Sequence, residues 1–420
     1  MNSIPIERSV DVIYARTKLE AALTSYGVNW EVQVTGQYVK TAKCMLYDKS
    51  GNYLDFGYGK GDLESSTTGA MFEAAEHWFC QFSNCNKGNV SYRDTQSFIK
   101  ESHISGCFPI SIIADSPKGI MPFREYKQMG KNTTILYPLA LSTPRYIDEK
   151  YEYRSSASQD NFNYSKIERY CTNSGVAIGS NELEATIHGI LEAVERDSFS
   201  TFLVDAFLNR NKKSLRLIDL SSLPNELVSL VEDVEREVDH KILIFELANK
   251  YGIPVFCSAL HKSNFPIEIT GYGCSLSREH AASRSLHELV QCYHATTWFH
   301  PEDTEGKDNS ILLKFENHSF HLRCAKLKLA EWCEEIGFSE INFFSTANIK
   351  HSVDLKQYLL DLTNAIERTG CHAYSSVVNE LVGGQVITHS FIEGQDHFFC
   401  VTEGCFVLPN QIKINSEIYV

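Results

Sequence analysis

Glutamates recur beside apolar residues in a stretch whose spacing is helical, "ELEATIHGILEAVERD" (182–197). At roughly 100° per residue, Glu184, Glu192 and Glu195 fall on one arc of the helix, and His188 lies among them. The apolar stripe of this helix lies directly beside that arc. Because a solvated face normally lies opposite the core stripe, we expect these carboxylates to be partly buried.

Two other stretches, "FEAAEH" (72–77) and "SRSLHELVQCY" (283–293), repeat this arrangement on predicted helices. The first is apolar almost all round apart from its two carboxylates. The aligned polar residues are Glu73 and Glu76 on the first helix, and Arg284, Glu288 and Gln291 on the second. Buried carboxylates must be paired with a cation or bound to a metal.

Several carboxylates with few histidines or cysteines are typical of a site for a hard cation such as Mg²⁺. An excess of carboxylates around Mg²⁺ indicates that a polyphosphate completes the shell. Arg196 and Arg284 would then clamp the phosphates, because a guanidinium fork matches phosphate oxygens. Two alternatives remain open: each glutamate pairs with a neighbouring Lys or Arg, or the metal is purely structural.

The glycine-rich stretch "GYGKGD" (57–62) precedes the first of these helices and is predicted to be a turn. It is not a Walker A loop, because its spacing is too short and no Ser or Thr follows Lys60. Its backbone and Lys60 could still approach a phosphate. Such a stretch more often forms an ordinary turn than a phosphate-binding segment.

The composition restricts the classes of function. Acidic residues exceed basic ones by 53 − 39 = 14, which argues against nucleic acid or an anionic membrane as the main partner. No secretion signal or membrane-length apolar run is found. Thirteen cysteines without a CxxC pair indicate neither a disulfide framework nor a zinc ribbon. We therefore expect buried thiols and a cytoplasmic protein.

Strands and helices are mixed along the chain, and several strands follow one another directly. This order predicts an α+β fold with mixed or antiparallel sheets packed against helices. We expect residues 1–50 to form a helix and strands joined to a catalytic domain at 51–420. Residues 151–166, "YEYRSSASQDNFNYSK", are predicted to form a mobile loop or insertion.

With these motifs in place, the chain resembles the YcaO family of ATP-dependent enzymes from about residue 55 to residue 400. The resembling stretches are "GKG" followed by "GAMFEAAEH", then "NSGVAIGSNELEATIHGILEAVERD", "GIPVFCSAL" and "GYGCSLSREHAASRSLHELVQ". The central motif is long and specific. The resemblance implies a YcaO-like fold that binds ATP and Mg²⁺ without a P-loop.

Position by position, the resemblance implies a metal site made by three groups of residues. Its metal ligands are Glu73 with Glu76, Glu184 with Glu192, and Glu195, which Arg196 follows in the third motif. With these ligands we expect nucleotide binding by the following residues: Lys60, Ser180, Arg196, Arg284, Glu288 and Gln291. Arg196 and Gln291 are further expected to take part in catalysis.

The chain departs from the family pattern at three places. His77 replaces the Arg that usually ends the first motif, and Ser180 stands where the family has Asn, with Asn181 one place later. Azoline-forming members usually end in a proline-rich tail whose carboxylate reaches the site, whereas this sequence ends "NSEIYV". The carboxylate of Val420 is therefore only one candidate for the catalytic base.

The implied activity is O-phosphorylation of peptide backbone amides by ATP. With a Cys, Ser or Thr side chain as nucleophile, the product is a thiazoline or oxazoline in a ribosomally made peptide, as in bacteriocin biosynthesis. External sulfide would give a thioamide instead, and a non-catalytic ATP-binding accessory protein is the rival from another class. The expected partners are a precursor peptide, a separate recognition protein resembling ubiquitin-activating enzymes, a flavin dehydrogenase and a second copy of the chain.

Overall fold

The computed structural model describes residues 4–101, 107–143, 145–148 and 159–410. The helices in these ranges are α1 (Val12–Tyr26), α2 (Leu63–Phe79), α3 (Thr95–Glu101), α4 (Phe108–Ala114), α5 (Glu182–Leu203), α6 (Asn225–Val238), α7 (Arg278–His294), α8 (Pro301–Lys314), α9 (Ser319–Lys326), α10 (Leu329–Ile336) and α11 (Leu355–Glu367).

The strands described by the structure form three sheets. They are β1 (Asn29–Thr35), β2 (Lys40–Tyr47), β3 (Tyr53–Gly61), β4 (Val90–Asp94), β5 (Ile120–Gln128), β6 (Thr134–Pro138), β7 (Val176–Gly179), β8 (Arg216–Asp219), β9 (Ile242–Glu246), β10 (Val255–Leu260), β11 (Thr270–Cys274), β12 (Ser339–Asn342), β13 (Ala373–Glu380) and β14 (Val386–Ile392).

The first sheet is an antiparallel meander of β1, β2 and β3. The predicted domain boundary at residue 50 falls between β2 and β3, inside this sheet. The second sheet has the order β4-β5-β13-β14-β7, with β6 on β5, and its pairs are antiparallel. The third has the order β11-β10-β9-β8-β12 and contains one parallel pair, β8 with β12.

Three helices connect these sheets, and each packs by an apolar face. Helix α2 lies on β2 and β3, α7 lies on β10 and β11, and α5 lies between the second and third sheets, in contact with β7, β14 and β11. Ile187, Ile190 and Val194 of α5 are fully buried in the largest apolar core. The predicted α+β class with mixed and antiparallel sheets is therefore confirmed.

The turn predicted at residues 57–62 is wrong. Residues Tyr53–Gly61 form the strand β3, and its glycines serve close packing instead of a turn. A Cβ on Gly59 would lie 1.9 Å from the carbonyl oxygen of Ser66, and one on Gly57 would lie 2.2 Å from the backbone nitrogen of Ala74. Alternate glycines thus allow α2 to lie directly on the strand.

Other sequence predictions concern the cysteines, membrane segments and the insertion. All thirteen cysteines are free thiols, and nine of them are buried. No helix in the described ranges is long and apolar enough to cross a membrane. Of the predicted mobile insertion, residues 151–158 lie outside the described residues, whereas the carboxylate of Asp160 accepts hydrogen bonds from the hydroxyls of Tyr146 and Tyr164.

Candidate functional site

One cavity of about 730 Å³ lies between α2, α5, α7, the end of β3 and the segment that precedes α1. Its walls include every described residue that the sequence predicted for the site. These are Lys60, Glu73, Glu76, Ser180, Glu184, Glu192, Glu195, Arg196, Arg284, Glu288 and Gln291. Val420 lies outside the described residues, so its predicted role as a base stays a prediction.

The first carboxylate pair is positioned by the contact of α2 with β3. Glu73 accepts a hydrogen bond from the backbone N–H of Tyr58. Glu76 accepts one from the N–H of Ile178 on β7 at 2.8 Å. Burial raises the pKa of both carboxyls, and for Glu76 the nearby Glu192 adds to the effect. A cation that binds here would therefore either displace protons from these two carboxyls or neutralise the carboxylates that have lost them.

The second group is carried by α5, whose N-cap is Asn181. Its side-chain oxygen accepts a hydrogen bond from the backbone N–H of Glu184 at 3.0 Å, which is the geometry expected of a helix N-cap. The hydroxyl of Ser180 lines the cavity and has no hydrogen-bond partner in the described structure. Of these two neighbours, Ser180 is therefore the one available to a ligand.

Farther along α5, Arg196 lies between carboxylates. Its Nε is 3.8 Å from an oxygen of Glu192, and its guanidinium lies over the ring of Phe399 at 5.4 Å. Burial raises the pKa of Glu192 to about 7; Arg196 opposes this shift and Glu195 reinforces it. Arg196 itself stays cationic, because the surrounding carboxylates raise its pKa in spite of burial.

The third group is carried by α7 and reaches β3. The ammonium of Lys60 donates a hydrogen bond to the carboxylate of Glu288. Burial alone would raise the pKa of Glu288, but Lys60, Arg196 and Arg284 together lower it. The Nε atoms of Arg196 and Arg284 are buried and have no hydrogen-bond partner in the part of the chain described here.

The simple ion-pair alternative accounts for half of the carboxylates. Glu184 pairs with Arg8, Glu192 with Arg196, and Glu288 with Lys60. No such pair with Lys or Arg is found in the described residues for the other three. Those carboxylates are Glu73, Glu76 and Glu195. Glu195 is buried, and Glu73 and Glu76 are partly buried. Since carboxylates removed from water need a counter-charge, these three favour a bound cation.

Sequence reasoning missed the segment before α1. The guanidinium of Arg8 lies 3.2 Å from Glu184, and Ser9 donates to the same carboxylate from its N–H at 3.1 Å and its hydroxyl at 2.8 Å. Glu7 approaches Arg284. These contacts join residues 175 or more positions apart, so no local spacing could have shown them. His280 and His287, which also line the cavity, were likewise not singled out.

The donor set fits Mg²⁺ held together with phosphate. It consists of carboxylate oxygens, which hard cations prefer, next to arginines with unused donors. No group of three His, Cys, Asp or Glu in the described ranges is gathered closely enough to hold a metal by itself. Like-charged side chains repel at short range, so phosphate oxygens would have to supply the rest of the coordination shell.

Comparison with protein-family models identifies the family. Residues 57–382 match the family model described as YcaO cyclodehydratase, ATP- and Mg²⁺-binding. A curated protein of Rhizobium leguminosarum bv. trifolii, described as an uncharacterized protein in the tfuA 3′ region, is 27% identical over 129 residues. That match covers 28% of this chain and only 29% of the relative.

Two solved structures share the fold at low sequence identity. YcaO from Methanopyrus kandleri, bound with AMPPCP and Mg²⁺, is 16% identical with a TM-score of 0.67, and the match covers 95% of this chain and 96% of that one. A heterocyclase in complex with substrate and cofactor is 16% identical with a TM-score of 0.66, over 94% of this chain but 54% of its own.

A third similar structure is the E. coli microcin synthetase McbBCD complex with pro-MccB17 bound, at 13% identity, a TM-score of 0.54 and 86% coverage of both chains. The family model spans most of the sequence, including the glutamates of α2 and α5 and the polar stripe of α7. The chain therefore belongs to the YcaO family of ATP- and Mg²⁺-binding proteins.

Proposed function

We propose that this protein uses ATP and Mg²⁺ to activate backbone amides of a peptide and converts Cys, Ser or Thr residues to azolines. The observation that carries this proposal is the shared cavity, whose lining includes the six carboxylates and three cationic side chains that the sequence predicted for the site. The carboxylates are those of Glu73, Glu76, Glu184, Glu192, Glu195 and Glu288, and the cations are Lys60, Arg196 and Arg284.

The cavity suits a nucleotide without a P-loop. Its volume of about 730 Å³ lies within the range of small-molecule sites. Lys60 extends from a strand, so no glycine-rich loop of the Walker type cradles phosphates around it. We assign the phosphates to Arg196, Arg284, Lys60 and Gln291, whose donors would replace water around a polyanion.

We assign Mg²⁺ to the carboxylates that lack a Lys or Arg partner, Glu73, Glu76 and Glu195, together with Glu192 and Glu184. Bound there, Mg²⁺ would neutralise charge on the transferring phosphoryl group. Arg196, fixed between Glu192 and Phe399, would stabilise the same charge through a preorganised guanidinium.

Azoline formation requires the oxygen of the peptide amide to leave. The thiol or hydroxyl of a Cys, Ser or Thr gives its proton to a base as its sulfur or oxygen adds to the preceding carbonyl carbon. The resulting oxyanion attacks the γ-phosphorus of ATP, releasing ADP. The C–O bond then breaks as inorganic phosphate departs, and the amide nitrogen loses its proton to give the ring C=N. Phosphorylation turns a poor leaving group into a good one.

The peptide is proposed to arrive with a separate protein. The heterocyclase solved with substrate is matched over only 54% of its length, so the rest of that protein has no counterpart in this chain. The McbBCD structure contains a pro-peptide together with several proteins. A homodimer and a flavin dehydrogenase partner stay predictions from the family.

The test is peptide-dependent ATP hydrolysis combined with mass spectrometry of the peptide. We expect the peptide to lose one water for each azoline formed, and its amide oxygen, labelled with a heavy isotope, to appear in phosphate. Replacement of oxygen by sulfur in the presence of sulfide would identify thioamide formation instead. ATP binding without any change in the peptide would contradict both and indicate an accessory protein.

A further inference from the structure

Residues 7–9 precede α1 and connect the two helices that supply most of the cavity's charge. We refer to them as the N-terminal strap. Arg8 and Ser9 bind the carboxylate of Glu184 on α5. Glu7 lies with one carboxylate oxygen 3.6 Å from a terminal nitrogen of Arg284 on α7. The strap therefore places Glu7 beside Arg284 of α7 and Arg8 beside Glu184 of α5.

Glu7 is held firmly in this position. Its carboxylate accepts hydrogen bonds from the hydroxyls of Ser275 at 2.6 Å and Tyr358 at 2.5 Å, and the residue is 7% exposed. Its φ of +66° is uncommon for a side chain of this size. The contacts of its carboxylate hold the residue in this conformation.

Arg284 has donors left over after this contact. Its Nε is buried and has no hydrogen-bond partner among the described residues, and its side chain lines the same cavity as Arg196 and Lys60. A long arginine side chain loses rotamer freedom when it binds a phosphate. A fixed carboxylate at one edge of the guanidinium removes part of that cost before the ligand arrives.

We propose that Glu7 is a positioning residue for the nucleotide site: it orients Arg284 toward the outer phosphates of ATP without contacting the nucleotide itself. This inference rests on the proposed function. The strap lies outside residues 57–382, which match the family model, so the family motifs give no role to Glu7. The strap belongs to residues 1–50, which sequence analysis predicted to form a helix and strands joined to the catalytic domain.

The experiment measures binding of the Mg²⁺ complexes of AMPPCP and of AMP by calorimetry. We expect Glu7→Gln, which keeps the size of the side chain, to weaken AMPPCP binding about tenfold and AMP binding by less than about twofold. AMP lacks the outer phosphates, so a general disturbance of the cavity would weaken both ligands alike. In an Arg284→Ala background, Glu7→Gln should have no further effect, because Glu7 acts through Arg284.

Glu20→Gln is the matched control, since Glu20 pairs with Arg16 on the surface of α1 and should leave both affinities unchanged. If Glu7→Gln unfolds the protein, Tyr358→Phe removes one anchor of Glu7 and should show the same selectivity for AMPPCP. Tighter or unchanged AMPPCP binding, equal losses for both ligands, or an effect that persists without Arg284 would each overturn the proposal. If wild type itself does not bind Mg²⁺–AMPPCP, the proposed function fails instead.

Discussion

Lys60, near the end of β3, forms an ion pair with Glu288 on α7, so two residues predicted to bind the nucleotide neutralise each other in this structure. Each side chain is less than a quarter exposed. A ligand phosphate would take over the ammonium, and the pair would have to open. These two opposite charges are thus paired with each other before a nucleotide enters.

Lys60→Met should lower the free energy of unfolding by about 1–2 kcal/mol, because it leaves a partly buried carboxylate without its partner. The double variant Lys60→Met/Glu288→Gln should recover most of this loss. Urea denaturation measures both, and Lys262→Met, at an exposed pair with Glu334, is the control with little expected effect. Equal destabilisation in the single and double variants would contradict this account.

Glu192→Gln should weaken binding of Mg²⁺–AMPPCP by at least about a hundredfold, because the cavity loses an anionic oxygen ligand. Calorimetry on a folded variant gives the affinity. Glu182→Gln is the control, since Glu182 lies on the first turn of the same helix and is exposed. An unchanged affinity in the Glu192 variant would remove this residue from the metal site.

Arg196→Lys should reduce peptide-dependent ATP turnover by roughly ten- to a thousandfold although the charge is kept. An ammonium cannot reproduce the two-pronged grip of a guanidinium or its stacking on Phe399. The measurement is kcat for ATP hydrolysis, with Arg236→Lys at an exposed helix pair as the control. Wild-type turnover in the Arg196 variant would assign the residue a structural role.

Gly59→Ala should destabilise the protein by about 2–4 kcal/mol and weaken nucleotide binding as well. The added methyl group would meet the Ser66 carbonyl at 1.9 Å, so α2 and its two glutamates would have to move. Gly306→Ala on α8, where a Cβ meets nothing within 4 Å, is the matched control. Thermal unfolding and calorimetry report the two effects, and a Gly59 variant as stable as wild type would refute the packing argument.

Glu237→Gln should cost about 1–3 kcal/mol of stability near neutral pH. This carboxylate accepts hydrogen bonds from the N–H groups of Gln37, Tyr38 and Val39 and lies 3.1 Å from His294.

Burial would raise the pKa of Glu237, but those N–H groups lower it below its usual value. The stabilisation is therefore present above the pKa of the unfolded chain, about 4.3, and is lost as the pH falls through the folded pKa. The difference in stability between wild type and variant should shrink accordingly in acid denaturant titrations. A constant difference down to the lowest pH would argue against the charged hydrogen bonds.

The polar stripes could be predicted because helical periodicity is a local property. Glu184, Glu192 and Glu195 lie within four turns of one helix, so their common face follows from spacing alone. Lys60 was given little weight because its glycines were interpreted as a turn. Gly57 and Gly59 instead accommodate a helix that follows them in sequence and folds back over the strand, a tertiary contact that overrides local preference.

The N-terminal strap could not be predicted for a different reason. Glu7, Arg8 and Ser9 form an ordinary polar stretch, and what makes them part of the site is the position of Glu184 and Arg284 in space. Such contacts depend on how the sheets are assembled, which spacing does not encode. The N-cap role of Asn181, by contrast, is local, and it explains why Ser180 is the residue left facing the cavity.

The bond between Glu7 and Tyr358 joins positions 351 residues apart. During synthesis, Glu7 leaves the ribosome long before Tyr358 is made. The strap therefore cannot form this hydrogen bond until α11 has been synthesised. Contacts this distant in sequence are made late and slowly when a chain folds. A chain that ends before Tyr358 therefore lacks one of the hydrogen bonds that hold Glu7, and on the inference above it should bind Mg²⁺–AMPPCP more weakly than the full chain.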